Sequence, residues 1–132
     1  MNGGTGPGLG ATQLRIIRMA LLAGVIVFGI VATVVTAKGG GQASDPDGLR
    51  VLTYVQMAFI VTAAPLLLFL QRRHAAERDP ARAGTLNIVA WAVGESVALF
   101  GGVLWLLTGS PTPYLVGLAV MVASFVLVPI RE

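Results

Sequence analysis

The sequence predicts an all-α integral membrane protein built from four transmembrane helices packed as an antiparallel bundle. Three observations carry that prediction. Of the 132 residues, 55% are hydrophobic and only 11% are charged, whereas soluble domains carry about 25% charged residues. Mean hydropathy is +0.82, so lipid rather than water must meet most of the surface. The apolar residues also fall into four long runs separated by Gly, Pro and charged clusters. A run of about 20 apolar residues spans a bilayer as a helix, so four runs use most of the chain and leave no room for a separate soluble catalytic domain. The organisation read from this is a disordered tail over residues 1–13 and a single membrane domain over 14–132.

The tail follows from the glycine-rich, aperiodic stretch Met1 to Gly10. Thr12 is a candidate N-cap, and the first span is predicted over 16–37, closed by Lys38-Gly39-Gly40-Gly41. A signal peptide is the rival reading, with Arg15 and Arg18 before the apolar run and Val35-Thr36-Ala37 at its end. The run is longer than the usual apolar core of about 7–15 residues, which favours a retained span. Asp45-Pro46-Asp47-Gly48 breaks the chain again. The second span is predicted over 49–70, with Gln56 inside it and a kink at Pro65 that frees the carbonyl of Val61. A charged loop over 71–84, which includes His74, leads to the third span over 85–108. The turn Gly109-Ser110-Pro111-Thr112-Pro113 leads to the fourth, over 114–130.

Orientation follows from the basic residues at the span ends. Arg15, Arg18, Arg72, Arg73, Arg78, Arg82 and Arg131 fall on one side, against Lys38 and Arg50 on the other. The positive-inside rule puts the larger group in the cytoplasm, with both termini, as expected of a multi-pass protein of a bacterial inner membrane. The same positions give Arg72, Arg73, Arg78 and Arg82 as candidate contacts for anionic lipid headgroups and argue against nucleic acid as a partner. The first and third spans also align: Leu14 with Leu86, Ile16 with Ile88, Ala20 with Ala92, Phe28-Gly29 with Phe100-Gly101 and Thr36 with Thr108. That offset predicts a duplicated two-helix hairpin, repeated in parallel.

The third span carries the strongest functional signal. Glu95 is the one ionisable residue inside an apolar run, and a charge at that depth costs about 2.5–3.5 kcal/mol on insertion scales. It must therefore face protein or water, find a polar partner, or hold its proton. At 100° per residue, Asn87, Trp91, Gly94, Glu95, Ala98, Gly102 and Trp105 share one face, with Val89, Val93, Phe100, Leu104 and Leu107 opposite. Ala90, Gly94, Ala98 and Gly102 form a small-residue stripe that lets another helix approach closely. Asn87, Trp91, Gly94, Ala98 and Gly102 are thus candidate supports of Glu95. Gln56 either bonds to Glu95 across the hairpin or satisfies itself on nearby backbone. Trp91 either shields the carboxyl or simply packs. Tyr54, Tyr114 and Trp105 sit toward span ends, as in an interfacial aromatic belt.

The segment Glu95-Ser96-Val97-Ala98-Leu99-Phe100-Gly101-Gly102-Val103-Leu104, preceded by Arg78-Asp79-Pro80, resembles the carboxylate helix and polar loop of the proteolipid (subunit c) of rotary ATP synthases. The resemblance covers residues 72–108 and implies that Glu95 binds and releases a proton or a cation. Leu49 to Leu70 lacks the glycine run of the family's other helix, so a rotor ring is not implied.

The function expected is therefore that of a small polytopic membrane protein in which Glu95 binds a proton or cation, or anchors a helix–helix interface. The alternative is a proton- or cation-coupled translocator or proteolipid-like subunit. Its partners would be the bilayer and a second copy or another membrane subunit meeting the third helix. Asp45 and Asp47 suit a turn, and the chain has no cysteine and a single histidine. With no nucleophile–base pair, phosphate loop or metal-ligand cluster in view, neither enzyme activity, nor a metal, nor another cofactor is expected.

Overall fold

A computed structural model describes residues 10–38 and 46–130. The predicted tail up to Leu9, the run Gly39-Gly40-Gly41, Asp45 and Arg131 lie outside the described residues. The described residues form four α-helices and no strand: α1 Ala11–Ala37, α2 Pro46–Ala76, α3 Pro80–Thr108 and α4 Thr112–Leu127. The first three are long and apolar enough to cross a membrane, while α4 is a shorter apolar helix.

The helix ends differ from expectation for local reasons. Gly10, not Thr12, is the N-cap of α1, and its N–H donates to Gln13 Oε1 at 2.9 Å. Helix α2 runs six residues past Leu70, because Gln, Arg and Ala favour the helix and no breaker intervenes before Glu77. Helix α3 starts five residues before Thr85. Asp79 caps it, accepting from Ala81 N at 3.1 Å, and Pro80 occupies the first turn, where no N–H is needed. The expected loop over 71–84 thus shrinks to residues 77–79. Gly109, at φ 76°, ends α3 as its sequence position suggests.

Helix α4 stops at Leu127 rather than at Ile130. Proline disfavours the helical region for the residue before it, and Val128, preceding Pro129, adopts φ −123° and ψ 75°. At 1.5 Å per residue, α4 is about 24 Å long, against a hydrocarbon core of about 30 Å.

Helix α3 is the axis of the molecule, packed against each of the other three and most closely against α4. Its glycines set that spacing. A Cβ on Gly94 would sit 2.8 Å from the Cα of Met121, and one on Gly102 would sit 2.5 Å from the ring of Phe28 in α1. Gly117 in α4 lets Ala98 approach in turn. The stripe Ala90, Gly94, Ala98 and Gly102 is wholly buried, with α4 against Gly94 and Ala98, α1 against Gly102, and Ala90 in one cluster with Leu67 and Leu70 of α2. Leu104, expected on the lipid face, is buried as well, and Phe100 stacks edge-on to Phe59 of α2 at 5.2 Å between ring centres. Helices α1 and α2 do not pack as a pair in the way α3 and α4 do. The match between the first and third spans therefore has no counterpart in helix packing. The outer faces of α1 and α2 expose large apolar side chains, among them Ile16, Ile30, Met57 and Val61, as a lipid-facing surface requires.

Candidate functional site on the central helix

Polar groups in an apolar helix must find partners nearby, and most here do so within one turn. Thr33, Thr36, Thr53, Ser96 and Thr108 each donate a hydroxyl to the carbonyl four residues back, at 2.7–2.9 Å. The exceptions define the polar architecture.

The largest network ties the loop ends of three helices together. Pro129 has stopped α4, which leaves the carbonyls of Val128 and Pro129 without helical donors. Asn87 Nδ2 donates to both, at 2.9 and 3.0 Å, and Trp91 Nε1 donates to Val128 O at 3.0 Å. Since the Asn87 amide nitrogen is committed to carbonyls, its Oδ1 is the acceptor facing His74 Nε2 at 3.0 Å, so that ring nitrogen carries a proton. His74, Asn87 and Trp91 are all buried. Two sequence expectations change here. His74 is not a loop residue but part of the α2 core face. Asn87 and Trp91 serve the end of α4, with Trp91 edge-on to Phe125 at 5.8 Å.

Gln56 is a second exception. It is 3% exposed, and its Nε2 reaches Val97 O at 3.5 Å and Pro113 O at 3.3 Å, bridging α2, α3 and α4. Its Oε1 is buried and has no hydrogen-bond partner among the described residues. Of the two readings of Gln56, the backbone one holds. Val97 lies about 160° around α3 from Glu95, so the two side chains belong to opposite flanks. Tyr114 is the third exception. Expected in an interfacial belt, it is buried, and its hydroxyl donates to Val25 O at 2.7 Å. Gly29 permits this, since a Cβ there would stand 2.5 Å from that hydroxyl. Trp105 leans on the Tyr114 ring at 5.3 Å, and Tyr54 is exposed.

Glu95 stands apart from these networks. It is half-buried at the edge of the packed face, one turn from Trp91 and Ala98, on the flank where Gly102 receives Phe28 of α1. Among the described residues it makes no hydrogen bond and no ion pair. Nor do three His, Asp or Glu side chains gather as a metal site among them.

No known protein family, curated protein or solved structure matches this chain.

The four arginines of the expected headgroup site are exposed and divide into two pairs. Arg73 and Arg82 line a cleft of about 240 Å³ with Glu77, Thr85 and Leu86, whereas Arg72 and Arg78 lie outside it. The Arg73 guanidinium stands 5.9 Å from the ring centre of Phe69, and Arg82 Nε is 3.8 Å from Asp79 Oδ2. Glu77 Oε1 accepts from the N–H groups of Arg78 and Asp79, both at 3.0 Å. These bonds, with Arg82 and Arg73 nearby, hold the Glu77 carboxyl below its ordinary range. The sequence showed the arginines but not their pairing, which depends on where α2 ends and α3 begins. The buried role of His74 had a legible signal. Gln56, Ala63, Leu67, Leu70 and His74 recur at spacings of seven, four, three and four along α2, the period of a single buried helix face.

Proposed function

We propose that the chain is a non-enzymatic, multi-pass bacterial membrane protein, folded as an antiparallel bundle with both termini in the cytoplasm. In this reading Glu95 is its working group, a carboxyl within the membrane that takes up and releases a proton. One observation carries the proposal: Asn87, Trp91, Ser96 and Thr108 on α3 are all hydrogen-bonded within the chain, whereas the Glu95 carboxyl is half-exposed and has no partner among the described residues. A carboxyl at that depth with no protein donor needs a proton, a cation or a visiting group. The resemblance of its helix to the carboxylate helix of the rotary proteolipids points the same way.

The test is modification by a hydrophobic carbodiimide, which reaches protonated carboxyls from the lipid phase. A single adduct on Glu95, decreasing as pH rises and absent from Glu95→Gln, is the expected result. Proton flux in liposomes should be lost in the same variant. Equal flux in both forms, with no adduct, would sink the idea. A second reading, in which Glu95 anchors a neighbouring subunit, draws on the same half-exposure. Since the glycine stripe is filled within the chain, such a partner would sit on the flank beside α1. Pull-down from native membranes separates the two: an anchor loses its partner in Glu95→Gln, and a lone proton carrier has none to lose.

A further inference from the structure

We infer that the seam between α2 and α3 binds one anionic phospholipid, its phosphate at Arg73 and Arg82 and an acyl chain in the apolar groove beyond them. The inference rests on the membrane reading above but not on Glu95. Two hollows lie along this seam. The first is the cleft of about 240 Å³ at the 77–79 loop, walled by Arg73, Glu77 and Arg82. The second is an apolar groove of about 200 Å³ walled by Phe59, Leu66, Val93 and Ser96, among others.

Helical period puts the two in line. On α2, Phe59, Leu66 and Arg73 recur every seven residues, and on α3, Arg82, Leu86, Val93 and Ser96 follow one another along one face. Seven residues separate Leu66 from Arg73, or about 10 Å of helix. A headgroup held at Arg73 therefore sets its chain down in the groove. Phe69 is exposed about one turn before Arg73, whose guanidinium lies against it.

Charge selects the headgroup. The cleft wall carries two guanidinium groups and one carboxylate, a net positive charge suited to a phosphodiester. Arginine presents paired N–H donors that match phosphate oxygens. The neighbouring Asp79 pairs with Arg82 at Nε, at 3.8 Å. Glu77 already accepts two backbone N–H groups. A larger hollow of about 260 Å³ between α2 and α4 is lined by Ile60, Leu67, Val120 and Leu127, and the absence of a cation in that lining leaves no headgroup preference to argue.

Lipid exchange in nanodiscs, read by native mass spectrometry, tests the site with phosphatidylglycerol against phosphatidylcholine. The wild type should retain phosphatidylglycerol with a preference of at least about tenfold. Arg73→Gln with Arg82→Gln should abolish the preference. Arg72→Gln with Arg78→Gln removes the same charge outside the cleft and should leave it intact. Ser96→Phe, which fills the groove at an exposed position without changing charge, should weaken retention of both lipids. Equal losses in the two arginine pairs would reduce the site to diffuse surface charge and overturn the proposal. A dimer that Ser96→Phe dissociates would overturn it too, by making a second copy the occupant. Failure of the wild type to insert into nanodiscs would instead strike the membrane reading on which the site rests.

Discussion

Asn87 is the residue on which the loop ends of α2, α3 and α4 converge, since one side chain there serves a histidine and two carbonyls. Replacing it with leucine keeps the volume and removes all three bonds. Val128 O keeps the Trp91 donor, so the loss falls on Pro129 O and on the His74 bond. At about 1–3 kcal/mol for a buried group left unpaired, Asn87→Leu should lower unfolding free energy by about 2–4 kcal/mol in detergent. Trp91→Phe, which strips one donor from a carbonyl that retains Asn87, should cost only about 1 kcal/mol. Equal effects of the two would show that the network does not depend on Asn87. Glu77 gives a pH-dependent counterpart at the surface. Its carboxyl is held low by the Asp79 and Arg78 N–H groups and by Arg82 and Arg73. A group whose folded pKa lies below its unfolded one stabilises at pH above the unfolded value, and that contribution is lost as pH falls through the folded one. Amide exchange at Arg78 and Asp79, corrected for intrinsic rates, should therefore accelerate on acidification below about pH 4. In Glu77→Gln the same amides should exchange with little further dependence on pH.

At the scale of helices, α4 depends on what α3 and α1 give up to receive it. Gly101 removes a side chain where Pro113 O and the Tyr114 backbone approach, and Gly29 does the same for the Tyr114 hydroxyl. Tyr114→Phe deletes only the bond to Val25 O and should cost about 1 kcal/mol. Gly29→Ala should cost more, because it displaces the whole ring from its seat. Thermal unfolding followed by Trp105 fluorescence, with Trp105 against Tyr114, would rank the two, and the reverse order would remove the seat from the account. Much of this level was legible in the sequence. The glycines, the small-residue stripe and the Gly109 stop all do what their types suggest. Asp79-Pro80 also carried a helix-start signal, which the surrounding charges obscured by resembling a loop. Tyr114 was not legible, because an aromatic at the start of an apolar helix looks the same whether it meets a headgroup or the backbone of another helix. Glu95 was legible as an isolated carboxyl, but its flank was not, since the phase of one helix does not say which neighbour lies on which side.

For the whole molecule, the decisive question is how the helices cross the membrane, and the chain is convenient for asking it because it contains no cysteine. Helices α1, α2 and α3 have the length to cross, whereas α4 is shorter than the hydrocarbon core. Past its end, Val128 and Pro129 continue as irregular backbone, which is tolerated at membrane depth only when protein satisfies its carbonyls. Asn87 and Trp91 do so, so in the proposed bundle α4 and its tail together would match the depth that α3 covers alone. If α3 spans, the 77–79 loop and the turn at 109–111 must open on opposite sides. In the proposed orientation the first of these lies in the cytoplasm. Single cysteines at Ala76 and Ser110, both exposed, test this in intact cells with a membrane-impermeant maleimide. Ser110→Cys should be labelled from outside, and Ala76→Cys only after the membrane is opened. The inverse pattern would reverse the orientation and place the cleft of Arg73 and Arg82 on the outer face. Labelling of both sites from one side would mean that α3 does not cross, and Glu95 would then lose the depth from which its proposed chemistry is argued.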